Sequence, residues 1–231
     1  MEDHALPGTP PVPLTLRKSA RARRISLRIS QLDGRVTLTY PQGIPESEAL
    51  SFARTKEEWI RQHLQEQPVL AEVQIGLTIP VEGSDRRIVP TSGRRVLLQP
   101  DAVAVPAGAE PRRLARFLKE LARDRLTGAC DDYAAILGRS YTSLSLRDTR
   151  SRWGSCSSQG GLMFSWRLIL APPEVLHYVA AHEVAHLAEM NHSPAFWSQV
   201  ERIFGPYEKQ RRWLRDNGAE LHRYRFDASP S

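Results

Sequence analysis

The chain has 231 residues, 41% of them apolar and 25% charged, with a formal net charge of +6. That length holds one large domain or two modest ones, and the composition is that of a soluble globular protein. No apolar run approaches the roughly 20 residues a membrane span needs, residues 1–13 lack the apolar core of a signal peptide, and Cys130 and Cys156 are too few for a disulfide framework, so a cytoplasmic location is expected.

Residues 1–13 are Pro-rich and expected to be disordered or extended. Residues 14–16, 25–30 and 36–40 read as strands of a small antiparallel sheet, the last two joined by an Asp33-Gly34 hairpin turn. Residues 17–28 carry Arg17, Lys18, Arg21, Arg23, Arg24 and Arg28 with no acid among them. Ile25, Leu27 and Ile29 alternate with Ser26 and Arg28, which suits a solvated edge strand; contact with nucleic acid is the alternative, though no aromatic residue interleaves to stack on bases.

Residues 45–65 follow helical spacing, with Leu50, Phe52, Ala53, Trp59, Ile60 and Leu64 facing a core and His63 on the surface. Short strands at 77–80, 87–89, 95–98 and 103–105 read as a second meander. A long helix over 111–137 carries Leu114, Phe117, Leu118, Leu121, Leu126, Tyr133 and Ile136 and stops at Gly138. Strands are expected next at 141–147 and 162–168, the second after a Gly160-Gly161 turn. No internal repeat is visible, and the division is expected near residue 108: a tail over 1–13, a β-rich region with one helix over 14–108, and an α+β domain over 109–231.

Pro172 and Pro173 open a largely apolar helix that ends in His182-Glu183-Val-Ala-His186. Positions four apart sit about 40° apart around a helix and about 6 Å along it, so both imidazoles can reach one ion, with Glu183 beside it. His192, six residues further on, cannot join from the same straight helix. The helix is therefore expected to end near Met190, with Ser193 and Pro194 as cap and first-turn residue of the next. Three imidazoles and a carboxylate point to a catalytic zinc ion bound by His182, His186 and His192, with Glu183 as the base that deprotonates a water.

Around that stretch, Arg150-Ser-Arg152-Trp153-Gly-Ser-Cys156-Ser, Trp166-Arg-Leu-Ile-Leu, Asn191-His192-Ser-Pro-Ala-Phe-Trp197 and Arg212-Trp213-Leu resemble the YgjP-like metallopeptidase family, related to SprT-like zinc proteases, over most of residues 14–220. The resemblance implies a hydrolase with the same three histidines as zinc ligands and Glu183 as general acid/base. It also implies a zincin-like α+β domain, an antiparallel sheet packed on the helix that carries the histidines. Metzincins share the ligand spacing but have Gly where this chain has Glu189, so the Asn-His-Ser-Pro corner looks SprT-like. Zincins place an edge strand over the metal, for which residues 142–153 or their Leu162 partner are candidates.

Arg147, Arg150, Arg152 and Tyr207 are candidate substrate-binding or oxyanion-stabilising residues. Glu189, Glu174 and Glu201 are candidates for orienting the histidines, with solvated helix surface as the plainer reading. Trp153 and Trp166 read as packing between sheet and helix, and Cys156 as a structural thiol with a metal or catalytic role as the alternative. The expected activity is hydrolysis of peptide or protein substrates with one zinc ion per chain. Two alternatives stay open: hydrolysis of nucleotide phosphoanhydrides held by the nearby arginines, and association with DNA through the basic N-terminal strand.

Overall fold

The computed structural model describes residues 4–30, 34–65 and 69–226, and the chain divides into two compact units, Met1–Val69 and Leu70–Ser231. Asp33 of the expected hairpin turn and residues 1–3 of the expected tail lie outside the described residues.

In the first unit, strands β1 (His4–Leu6), β2 (Val12–Ser19), β3 (Ser26–Ile29) and β4 (Val36–Pro41) form one sheet in the order β1-β2-β4-β3. The residues expected as a tail thus supply a strand: Leu6 and Val12 are buried, and that burial offsets the entropy of ordering the segment. The sheet is mixed, because β4 pairs parallel to β2 and antiparallel to β3. Two helices, α1 (Glu46–Thr55) and α2 (Glu57–Gln65), replace the single one expected, broken at Lys56. The break turns Ala49, Ala53 and Ile60 into the core and leaves Trp59 41% exposed against His63, contrary to its assignment as a core residue.

The second unit opens with β5 (Ala71–Glu72), β6 (Thr78–Val81), β7 (Ser84–Thr91), β8 (Leu97–Leu98) and β9 (Ala102–Pro106). The last four form a sheet in the order β6-β7-β9-β8, with β7 and β9 parallel, so the expected meander is not formed. This is the strand order and the pairing pattern of the first sheet, and in both the last strand ends in a Pro, Pro41 or Pro106, before a Gly and a helix. A repeated four-strand-plus-helix module is therefore present that the dissimilar sequences hide.

Helix α3 (Glu110–Leu137) starts with Pro in its first turn and stops at Gly138 in the left-handed region, where glycine has no Cβ to clash. It packs on β9 and on a 3-10 helix, Trp166–Leu170, that lies in the same core as Ile79, Val103 and Leu118. Those contacts join residues 70–108 to the rest of the second unit, so the division falls after Val69 instead of near residue 108.

A three-stranded sheet of β10 (Ser143–Arg147), β11 (Gly154–Cys156) and β12 (Gly161–Ser165) has the order β10-β12-β11. Helix α4 (Pro173–Ala185) packs against β11 and α3, followed by α5 (Pro194–Phe204), α6 (Glu208–Asn217) and β13 (Tyr224–Arg225), which pairs parallel with β5. Arg167 ties this end of the chain together: Nε and Nη2 donate to Asp148 at 2.6 and 3.1 Å, and Nη1 donates to the carbonyls of Leu221 and Tyr224 at 3.1 Å each. Among the described residues no helix is long and apolar enough to cross a membrane.

Candidate metal centre

Pro172 caps α4 in extended geometry, and from Val175 to Ala185 almost every side chain is buried. A helix apolar on all sides must lie in the core, and this one carries two imidazoles and a carboxylate into it. His182 and His186, one turn apart, have ring centroids 5.1 Å apart. The helix ends at Ala185, short of the expected Met190, with His186 as its capping residue. The amides of Ala188 and Glu189 both donate back to Ala185 O, so the chain tightens and turns immediately. That early turn aims the Glu189 carbonyl at His186, whose Nδ1–H donates to it at 2.9 Å. Nε2 of His186 then carries the lone pair.

Ser193 N donates to Asn191 O at 2.8 Å, and Ser193 Oγ accepts from Phe196 N at 3.3 Å, starting α5 as the Ser-Pro pair predicts. His192 sits in the corner between the helices with Nε2 3.0 Å from Nε2 of His182. One ring nitrogen from each of His182, His186 and His192 lies within 4.8 Å of the other two.

An aromatic wall holds these rings. Phe196, fully buried, stacks on His186 at 4.4 Å and meets His182 edge-on at 4.9 Å. Trp197 lies 5.7 Å from His182, and Tyr207 stacks between Trp197 at 5.0 Å and Tyr178 at 6.0 Å. The Arg211 guanidinium lies 4.7 Å over Trp197. Nδ1 of His182 is buried without a hydrogen-bond partner among the described residues, so packing rather than a hydrogen bond orients that ring.

Burial, and then the neighbouring His186, His192 and Arg211, pull the His182 pKa down to about 3; burial also lowers that of His186. Both are neutral near pH 7, the form that donates a lone pair to a metal. Tetrahedral zinc with Zn–N near 2.0–2.1 Å brings ligand nitrogens about 3.3 Å apart, and the 3.0 Å approach of His182 and His192 is close to that. This donor set fits a divalent ion.

Glu183, 6% exposed, follows His182 on α4 and lies against Gly154 of β11. Burial pushes its carboxyl up to about 7, opposed by the charge of Arg152. A Cβ on Gly154 would lie 2.6 Å from Glu183 Cγ and 2.7 Å from Oε1, so only glycine lets the strand pass the carboxylate this closely. Gly154 lies within the Trp-Gly-Ser-Cys segment, but nothing in that segment marks which helix residue it meets.

Arg152 acts on Glu183 and Arg150 on His222, while Arg147 ends β10, the edge of the sheet remote from β11. Tyr207 joins the aromatic wall. Glu174 and Glu201 are exposed, and Glu189 serves His186 through its main-chain carbonyl. Cys156 lies on β11, but burial and the Glu183 charge raise its thiol pKa, which favours the structural reading. Of the segments considered for substrate, residues 142–153 hold the edge strand β10, whereas β12, which holds Leu162, is central and has no free edge; the other edge strand is β11, which begins just after the first segment. Trp166 is buried in the core, and Trp153 packs on His222 and Gly218. Arg211 and the wall of Tyr178, Phe196 and Trp197 are site neighbours that spacing did not reveal.

A family model described as YgjP-like, metallopeptidase domain, matches residues 23–217. Among solved structures, the chain is similar to the metallopeptidase zymogen of Pyrococcus abyssi abylysin, at 22% identity and a TM-score of 0.36, covering 40% of this chain and 92% of that one. No curated protein matches it significantly.

Proposed function

Because the chain belongs to the YgjP-like metallopeptidase family, we propose that it is a zinc-dependent peptidase acting on peptide or protein substrates in the cytoplasm, with its machinery in the unit Leu70–Ser231. One observation carries this reading: three imidazole nitrogens within 4.8 Å of one another, beside a buried carboxyl whose pKa is about 7. Helix α4 beneath the edge strand β11 is the part of the fold we read as zincin-like.

His182, His186 and His192 would hold the ion. When bound there, zinc supplies Lewis acidity, lowering the pKa of a water and polarising the scissile carbonyl. Glu183 takes the water's proton on its carboxylate and later returns it to the departing amine; a carboxyl with a pKa near 7 serves both directions. The free edge of β11 offers main-chain donors and acceptors to an extended peptide, which would lie as an added strand past Glu183. Arg152 and Tyr207 are the candidates for steadying the oxyanion, Arg152 from the Glu183 side and Tyr207 from the aromatic wall.

Nucleotide hydrolysis is the weaker reading, because no Gly-rich phosphate loop accompanies Arg147, Arg150 and Arg152 in the sequence. Zinc-loaded protein and its Glu183→Gln variant, each given an unstructured protein and nucleoside triphosphates, separate the two. Peptide cleavage lost in the variant is expected. Turnover of nucleotides alone, lost in the variant, overturns the proposal.

A further inference from the structure

A groove of ≈ 1150 Å³ shares no residue with the metal centre and is walled by Arg94, Arg95, Arg112, Arg113 and Arg116. Two separate elements supply these side chains: the β7–β8 connection brings Arg94 and Arg95, and the first turns of α3 bring the other three. Among the described residues, none of the five guanidiniums forms a salt bridge or a side-chain hydrogen bond. The acids nearby do not neutralise them. Glu110 feels the charge of Arg113 but is engaged by the Gly108 amide at 2.9 Å, and Glu120 is a single exposed carboxylate at the groove's edge. Five like charges around one hollow repel each other, a cost that a bound polyanion removes.

The repeated module makes the same point independently. In the first unit the connection equivalent to β7–β8 runs from β2 to β3, and it carries Arg23-Arg24-Ile25-Ser-Leu27 where the second carries Arg94-Arg95-Val96-Leu-Leu98. The paired arginines precede the third strand in both sheets, and Arg21, Arg23 and Arg24 are exposed. Sheet packing explains the Ile and Val that come after them. It does not explain two exposed arginines at one topological position twice over.

We propose that the groove walled by Arg94, Arg95, Arg112, Arg113 and Arg116 binds the phosphate backbone of single-stranded nucleic acid. All five residues are Arg and none is Lys, and the planar guanidinium fork pairs with phosphate oxygens two at a time. Arg112 and Arg116 stand one helical turn apart, about 6 Å along α3, which suits successive phosphates of an extended strand. A concave groove admits a strand and its bases, whereas a stiff duplex would touch only the rim. With Phe117 as the one aromatic on the wall, stacking is slight, so binding is governed by charge and is indifferent to sequence.

The test is fluorescence anisotropy of a labelled mixed-sequence DNA single strand titrated with the full chain over a salt series, beside a variant with Arg94, Arg95, Arg112 and Arg116 all changed to Ala. The logarithm of affinity should fall linearly with the logarithm of salt, and the variant's slope should be shallower by about 3, at about 0.7 per lost phosphate contact. Affinity at low salt should drop at least tenfold, while thermal melting and metal content stay unchanged. Absence of binding at low salt, an unaltered slope in the variant, equal competition by poly-glutamate, or tighter binding of the duplex each overturns the proposal. Metal content and peptide cleavage are read on the same samples, so failure here is separable from failure of the peptidase reading.

Discussion

Gly154 and Glu183 are in van der Waals contact across the β11–α4 interface, with room for a hydrogen but not for a methyl group on the glycine. Gly154→Ala should therefore swing the Glu183 carboxylate aside while leaving the three imidazoles in place. A misplacement of about 1 Å costs on the order of a hundredfold in rate, so kcat for peptide cleavage should fall by about that factor with zinc stoichiometry unchanged. Loss of zinc together with activity in the variant would mean that the strand supports the whole site rather than the carboxylate.

In metal-free protein, Glu183 holds a proton up to about pH 7 that the unfolded chain releases near its ordinary 4.5. Raising the pH from 4.5 to 7 therefore favours unfolding, and the penalty is complete above 7 and absent below 4.5. Its size is on the order of 3 kcal/mol. Glu183→Gln should gain that stability relative to the wild type at pH 8 and not at pH 4.5, as read by urea denaturation with chelator present.

His222 has the opposite sign. Burial against Trp153, helped by Arg167, lowers its pKa from 6.5 to about 4, so below pH 6.5 the unfolded chain takes up a proton that the folded one refuses. Stability is lost as the pH falls from 6.5 to 4 and is level beyond. His222→Phe keeps a ring against Trp153 and should flatten that part of the acid limb, by on the order of 3 kcal/mol. An unchanged acid limb would place the sensitivity elsewhere.

Phe196 orients the ring of His186 by stacking and meets His182 at its edge, where no hydrogen bond holds His182 Nδ1. Phe196→Leu keeps most of the apolar volume and removes the flat face. Zinc affinity should weaken by about tenfold, in the range seen when groups that orient metal ligands are removed. Competition against a chromogenic chelator measures it.

Asp148→Asn leaves the nearly buried Arg167 guanidinium without its counter-charge. The cost should be about 3 kcal/mol, the low end for a broken buried pair because Asp148 is itself partly exposed. Urea unfolding checks it, and a loss under about 1 kcal/mol would show that the carbonyls of Leu221 and Tyr224 suffice.

What sequence alone determined was local. The four-residue spacing of His182 and His186, the Ser193-Pro194 helix start, the Gly138 stop and the apolar stripes of α3 and α4 all depend on residues within a turn or two of each other, and all appear in the fold, except that Ile136 at the end of the α3 stripe is 53% exposed. The convergence of His192 on the other two came from the same reasoning, since a helix cannot bring all three together without a turn. Only the tertiary structure decided which strands are neighbours. β4 inserts beside β2 and β9 beside β7 in parallel, and alternation of apolar residues reports a strand's buried face but not its partner. The same holds for Gly154 against Glu183, Arg211 over Trp197 and the arginine groove, where the two sides come from separate segments of the chain. Backbone preference acts over a few residues, whereas such meetings are set by the packing of the whole core, which no short stretch encodes.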